Sequence, residues 1–103
     1  MCHTLNSANE QVAFDNTFFC ALQPPYRSKW GARYSVILPS AGSILITRVW
    51  PIMPPAEKAE ADGQGPPWAV ELEDYQEVLE ANWKIVWKGD GGEKGMLVVW
   101  ERL

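Results

Sequence analysis

Between Pro51 and Pro67 the chain carries five prolines and two glycines in seventeen residues (PIMPPAEKAEADGQGPP). Proline has no N–H to give to a ladder and breaks a helix interior, so neither a central strand nor a long helix passes through. The stretch splits the 103 residues into two parts that each supply their own regular structure. Such a length is unusual for a connection inside a compact domain, and it reads as a functional or mobile loop. A short helical turn around 56–61 is the one regular element it accommodates.

Ahead of the loop, Met1 to Glu10 is polar and aperiodic, and is expected to fray. Val12 and Phe14 alternate with Ala13 and Asp15, and Thr17 to Leu22 (TFFCAL) is aromatic-rich. One or two strands are expected there, ended by Pro24–Pro25. Arg33 to Leu38 (RYSVIL) and Ser43 to Trp50 (SILITRVW) read as strands joined in a hairpin through Pro39–Ser40–Ala41–Gly42. In the second of these, Ile44, Ile46 and Arg48 share one face and Leu45, Thr47 and Val49 the other, which predicts a central strand.

Beyond the loop, Trp68, Leu72, Tyr75 and Leu79 form one stripe with Val78 beside them, so the spacing predicts a helix over Trp68–Ala81. Pro67 suits its first position and Asn82 its end. Trp83 to Lys88 and Met96 to Glu101 then read as a hairpin turning at Asp90–Gly91, with Lys88 opposite Glu93 and Trp83 opposite Val98. Trp83, Ile85 and Trp87 are expected on one face. The fold is therefore α+β: one domain over 1–103, an antiparallel sheet of about five strands, one amphipathic helix on one face and a C-terminal β-hairpin. The other sheet face stays partly apolar, and a homodimer through it or through an edge strand is a further expectation.

A hydrophobic content of 47% and six tryptophans support a packed core. No run approaches the ~18 apolar residues of a membrane span. No basic region followed by an apolar run marks a signal peptide. Cys2 and Cys20 are the only cysteines, and both are expected as free thiols in a reducing cytoplasm.

Charge is unevenly divided. Glu57 to Glu80 holds eight acidic residues and one basic, Lys58, a formal −7, while the rest, with five acidic and eight basic residues, sums to +3. On the predicted helix Glu73, Asp74, Glu77 and Glu80 lie opposite the apolar stripe, with no lysine or arginine four residues on. An ordinary solvated face explains such a run; the functional reading is a protein-binding surface for a basic partner. A second candidate is Tyr26, Arg27, Lys29, Trp30, Arg33 and Tyr34, where cations and aromatics interleave as in single-stranded nucleic-acid sites. An acidic calculated pI of about 4.9 weighs against nucleic acid.

The glycine-rich turn Gly89 to Gly95 lacks the Gly-Lys-Ser/Thr of a phosphate loop and the spaced carboxylates of a calcium loop. Cys2, His3 and Cys20 are one ligand short of a structural zinc site. His3, the only histidine, sits in the fraying segment, which removes the usual Ser-His and Cys-His nucleophiles. No catalytic residue, cofactor or metal is expected.

Short, acidic, single-domain and motif-poor, the chain resembles in size and charge the phage-encoded antagonists, anti-CRISPR proteins among them. That likeness implies a non-catalytic module that binds and inhibits a larger, nucleic-acid-handling protein with a basic surface, in the host cytoplasm. Two alternatives stand beside it. One is a single-stranded nucleic-acid module using the segment 26–34. The other is a small enzyme or ligand binder with a pocket between helix and sheet.

Overall fold

The computed structural model describes residues 2–6, 11–16, 18–53 and 68–103. The expected loop from residue 54 to 67, its helical turn and Pro67 lie outside the described residues. Alternation is cleanest in Ile44–Val49, where Leu45, Thr47 and Val49 are wholly buried and the residues between them half-buried. A strand with this period-2 burial has one face in the core, and this one is paired along both edges. It is β3 of a five-stranded sheet made with β1 (Cys2–Asn6), β2 (Gln11–Asn16), β4 (Trp83–Asp90) and β5 (Met96–Arg102), in the order β1-β2-β3-β5-β4. The expected fraying thus fails at Cys2–Asn6, which pairs with β2.

The class is α+β, but the sheet is mixed and not antiparallel throughout. β2 and β3 are parallel, with Val12 opposite Ile44 and Asp15 opposite Thr47; the other three pairings are antiparallel. Parallel neighbours need a crossover, and a helix supplies it. Arg27–Ile37 is α1, so the strand expected at Arg33 to Leu38 and its hairpin are replaced by the second half of a helix. Arg27, Trp30, Gly31 and Tyr34 are buried, and Leu38 after them, which is helical spacing. The β-branched Val36 and Ile37 that suggest a strand are on its exposed side. The strand expected over Thr17 to Leu22 is also absent from the described part, Phe18 to Leu22. There Ala21 N–H donates to Phe18 C=O at 3.1 Å and Leu22 N–H to Phe19 C=O at 3.1 Å, a tight turn that leads into α1.

The second helix, α2, is Leu72–Leu79, shorter than the expected Trp68–Ala81. Trp68 to Val70 runs extended, because its N–H groups bond elsewhere: Trp68 to Cys20 C=O at 3.0 Å and Val70 to Pro51 C=O at 2.9 Å. Tyr75 and Leu79 carry its stripe into a core shared with Trp83, Val98 and Trp100. The C-terminal hairpin forms, but with Trp83 opposite Arg102 and Lys88 opposite Val98. A register irregularity between Ile85 and Trp87 turns Trp87 away from Trp83's face, leaving it 53% exposed. An extra residue at a bulge resets the alternation beyond it.

Both helices lie on one face of the sheet, and α1 and α2 touch along their length. The other face carries Phe14, Ile46, Val99 and Trp87 in one cross-strand row. Among the described residues no helix is long and apolar enough to cross a membrane.

One buried polar pair fixes the sheet's centre. Trp100 Nε1–H donates to Thr47 Oγ1 at 3.0 Å, both residues being essentially inaccessible. Thr47→Val keeps the shape and strands the indole N–H. A loss of about 1–3 kcal/mol is expected in urea unfolding, the cost of an unsatisfied buried donor.

Candidate functional site

In sheets with parallel strands, ligands are bound beyond the strands' carboxyl ends. Here β2 ends at Asp15–Asn16 and β3 at Val49, and three segments converge past them: Phe18 to Leu22, Trp50 to Ile52 and Trp68 to Val70. The two hydrogen bonds that hold Trp68 and Val70 extended also tie these segments together, and Ile52 N–H donates to Lys94 C=O at 2.8 Å. The Trp50–Pro51 peptide is cis.

Asp15 organises this end of the molecule. It is 2% exposed. One carboxylate oxygen accepts the Phe18 N–H at 3.2 Å and the other the Trp30 indole N–H. Burial pushes its carboxyl above the usual range, and the Trp30 and Phe18 bonds only partly oppose this. The carboxyl thereby anchors α1 to β2 and holds the turn that presents Phe18, which is 50% exposed. Beneath lies an aromatic cluster. Phe19 stacks on Tyr75 with centroids 3.9 Å apart, and Trp30 meets Phe19 edge-on at 4.8 Å.

Of the six residues Tyr26, Arg27, Lys29, Trp30, Arg33 and Tyr34, all but Arg27 line one open trough together with Phe18, Leu22 and Ile37. Trp30 and Tyr34 are largely buried, 5% and 4% exposed, and the Trp30 indole N–H is taken by Asp15. Arg27 is 8% exposed. Its guanidinium lies 4.7 Å from the Phe19 ring centroid and 4.0 Å from the Asp74 carboxylate, and its Nε–H donates to Leu22 C=O at 3.4 Å. Helical spacing explains the division: residues at 27, 30 and 34 turn inward together, and Tyr26, Lys29 and Arg33 stay out. The trough, of about 790 Å³, runs from Phe18 to Ile37 with both outward and inward residues in its walls.

The acidic set Glu73, Asp74, Glu77 and Glu80 divides in the same way. Glu73, Glu77 and Glu80 are exposed. Asp74 is instead turned back, accepting the Glu71 N–H at 2.8 Å at the start of α2 and facing Arg27. Reach-back of a third-position acid is a capping signal readable from Glu71–Leu72–Glu73–Asp74. Sequence reasoning overlooks Asp15, although an acid amid apolar strand residues is itself a signal, since a carboxylate is seldom buried without partners.

Cys20 is a buried thiol whose pKa burial pushes up, the opposite of what a nucleophile needs. Among the described residues no three His, Cys, Asp or Glu side chains group as metal ligands. Among the described residues the rim has aromatic and apolar walls, with Phe18, Trp50 and Trp68 on its three segments.

Residues 2–92 match the thiopurine S-methyltransferase (TPMT) family. A curated relative, the probable thiol methyltransferase 2 of Arabidopsis thaliana, is 41% identical over 68 residues, covering 66% of this chain and 26% of that protein. The chain thus spans about a quarter of the length of the relative it matches. These matches overturn the expectation of a non-catalytic, anti-CRISPR-like inhibitor: the similar proteins are methyltransferases, and size and acidity are shared by too many unrelated proteins to decide function. Of the readings the sequence allows, the enzyme is the one they favour. By the match over 2–92, this chain belongs to the thiopurine S-methyltransferase family.

Proposed function

We propose that this chain is part of an S-methyltransferase and that the rim beyond β2 and β3 forms a wall of the acceptor site. The convergence of Phe18, Trp50 and Trp68 segments at the carboxyl ends of the two parallel strands supports this reading. In such a reaction a bond forms between the acceptor's sulfur and the methyl carbon. The bond from that carbon to the leaving sulfur of a sulfonium donor breaks, and its electron pair stays with the leaving sulfur. An acidic thiol gives its proton to solvent beforehand and attacks as thiolate, so the protein's task is orientation and exclusion of water.

The residues described do not fit the donor. Among them no glycine-rich turn passes from a strand into a helix, the arrangement that cradles such nucleoside cofactors. The Gly89 to Gly95 turn instead joins two strands. No step is therefore assigned to donor binding by this chain.

The test uses a chimera in which this chain replaces the matching stretch of the Arabidopsis protein, which supplies the remaining length. Transfer of a tritiated methyl group from S-adenosylmethionine to a small thiol is measured. The chimera is expected to form the labelled thioether, and Phe18→Ala, at a half-exposed position, to lower kcat/KM by about tenfold, on the order of 1.4 kcal/mol. A folded chimera that forms no labelled thioether would overturn the reading.

A further inference from the structure

α1 and α2 lie side by side with opposite charges on their outer surfaces. Lys29 and Arg33 on α1 are exposed and make no ion pair with described residues, and neither do Glu73, Glu77 and Glu80 on α2. Past the basic residues, toward its C-terminal end, α1 exposes Val36 (77%) and Ile37 (40%), apolar area that a monomer gains nothing by showing. The two helices run in the same direction and are in step. Arg27 faces Asp74 and, one turn on, Gly31 packs on Val78.

We propose that this helical layer pairs with the same layer of a second copy of the chain, about a two-fold axis lying between α1 and α2 and parallel to both. That rotation sets each α1 over the partner's α2. It keeps the level along the helices, because a closed two-fold has no translation. Four residues separate Arg27 from Gly31 and Asp74 from Val78, so Arg33 stands level with Glu80 of the partner subunit. Lys29 comes within one residue's rise, about 1.5 Å, of the partner's Glu77. A two-fold perpendicular to the helices sets α1 on α1 and cation on cation, so charge selects the first axis. Complementary charge steers such an encounter and fixes its register. Val36 is covered in the same contact. The proposal does not depend on the methyltransferase reading.

Analytical ultracentrifugation of the chain at rising concentration, in low and high salt, tests it. A dimer with a dissociation constant in the micromolar range is expected, weakening at least tenfold in high salt as exposed charges are screened. Lys29→Glu with Arg33→Glu is expected to leave a monomer, and so is Glu77→Lys with Glu80→Lys. Mixing the two charge-reversed chains is expected to restore a one-to-one dimer, an outcome general destabilisation cannot produce. Circular dichroism checks that each variant is folded. A wild-type chain that stays monomeric at about 100 μM in low salt, a dimer that survives both reversals, or a mixture that fails to pair would each overturn the proposal.

Discussion

Asp15→Ala is expected to lower the free energy of unfolding by about 3 kcal/mol, because a buried donor and a part-buried one lose their acceptor together. The Phe18 N–H and the Trp30 indole N–H each bond a different oxygen of this one carboxylate. Removing it unties α1 from β2 and loosens the turn that presents Phe18. Asp15→Asn separates the two effects. An amide has one acceptor oxygen, so one donor is left facing an NH₂, and about half the loss is expected. The dependence on pH carries its own signature. Burial raises the folded-state pKa of Asp15 above its ordinary value of 3.8, so the folded protein holds this proton more tightly than the unfolded chain. The pH-dependent part of Asp15's contribution is then fully present below the unfolded value and is lost as pH rises through the folded one. Urea midpoints measured from about pH 4 upward should fall less in Asp15→Ala than in the wild type. Parallel curves would show that the carboxyl does not hold its proton in this way.

Gly31→Val is expected to cost about 2–3 kcal/mol, against a gain in helix propensity of under about 1 kcal/mol. A Cβ at Gly31 falls 2.4 Å from the Val78 carbonyl oxygen and 3.1 Å from its carbonyl carbon. Those are backbone atoms, so relief requires α2 to move as a body, and the Arg27–Asp74 approach at 4.0 Å moves with it. Ala32→Val, on the exposed side of the same helix, is the control and should shift the midpoint little. Equal effects from the two would mean that the helices do not pack this closely.

The contrast between β3 and α1 shows what local pattern carries and what it omits. In Ile44–Val49 every second residue is buried, so period alone gives both the strand and its inner face. In and just after α1 the apolar residues Trp30, Tyr34 and Leu38 do follow helical spacing, but β-branched Val36 and Ile37 run on into Leu38 at the helix end, and short apolar runs of that kind fit either element. Pro24–Pro25 before the helix and Pro39 after it are the punctuation that decides the matter. Once α1 is taken for a strand, a hairpin follows and the parallel pairing of β2 with β3 is lost. With it goes the carboxyl-end site, which is a property of topology and not of any residue in it. The acidic residues were legible as a set but not as individuals. Asp74 differs from Glu77 only in being positioned to reach the start of its own helix and Arg27 of another. Trp87 escaped its predicted face because an added residue in one strand has no signature in alternating hydrophobicity.

The place of β3 in the sheet also orders events in time. Its neighbour β5 belongs to a hairpin closed over residues 91–95, whereas its other neighbour, β2, is reached only through the whole of α1 and its flanking turns. The β4–β5 pairing is local, but β3 meets β5 only across 47 residues at Val49 and Met96, and β2 across 32 at Val12 and Ile44; remote pairings carry the larger loop-closure entropy and slow folding. β4 and β5 therefore assemble early, and the β3–β5 seam, the most remote pairing of the sheet, closes last. In native-state hydrogen exchange the β4–β5 ladder should persist in openings that already part β3 from β5, so the sheet yields first at its central seam and not at its C-terminal hairpin.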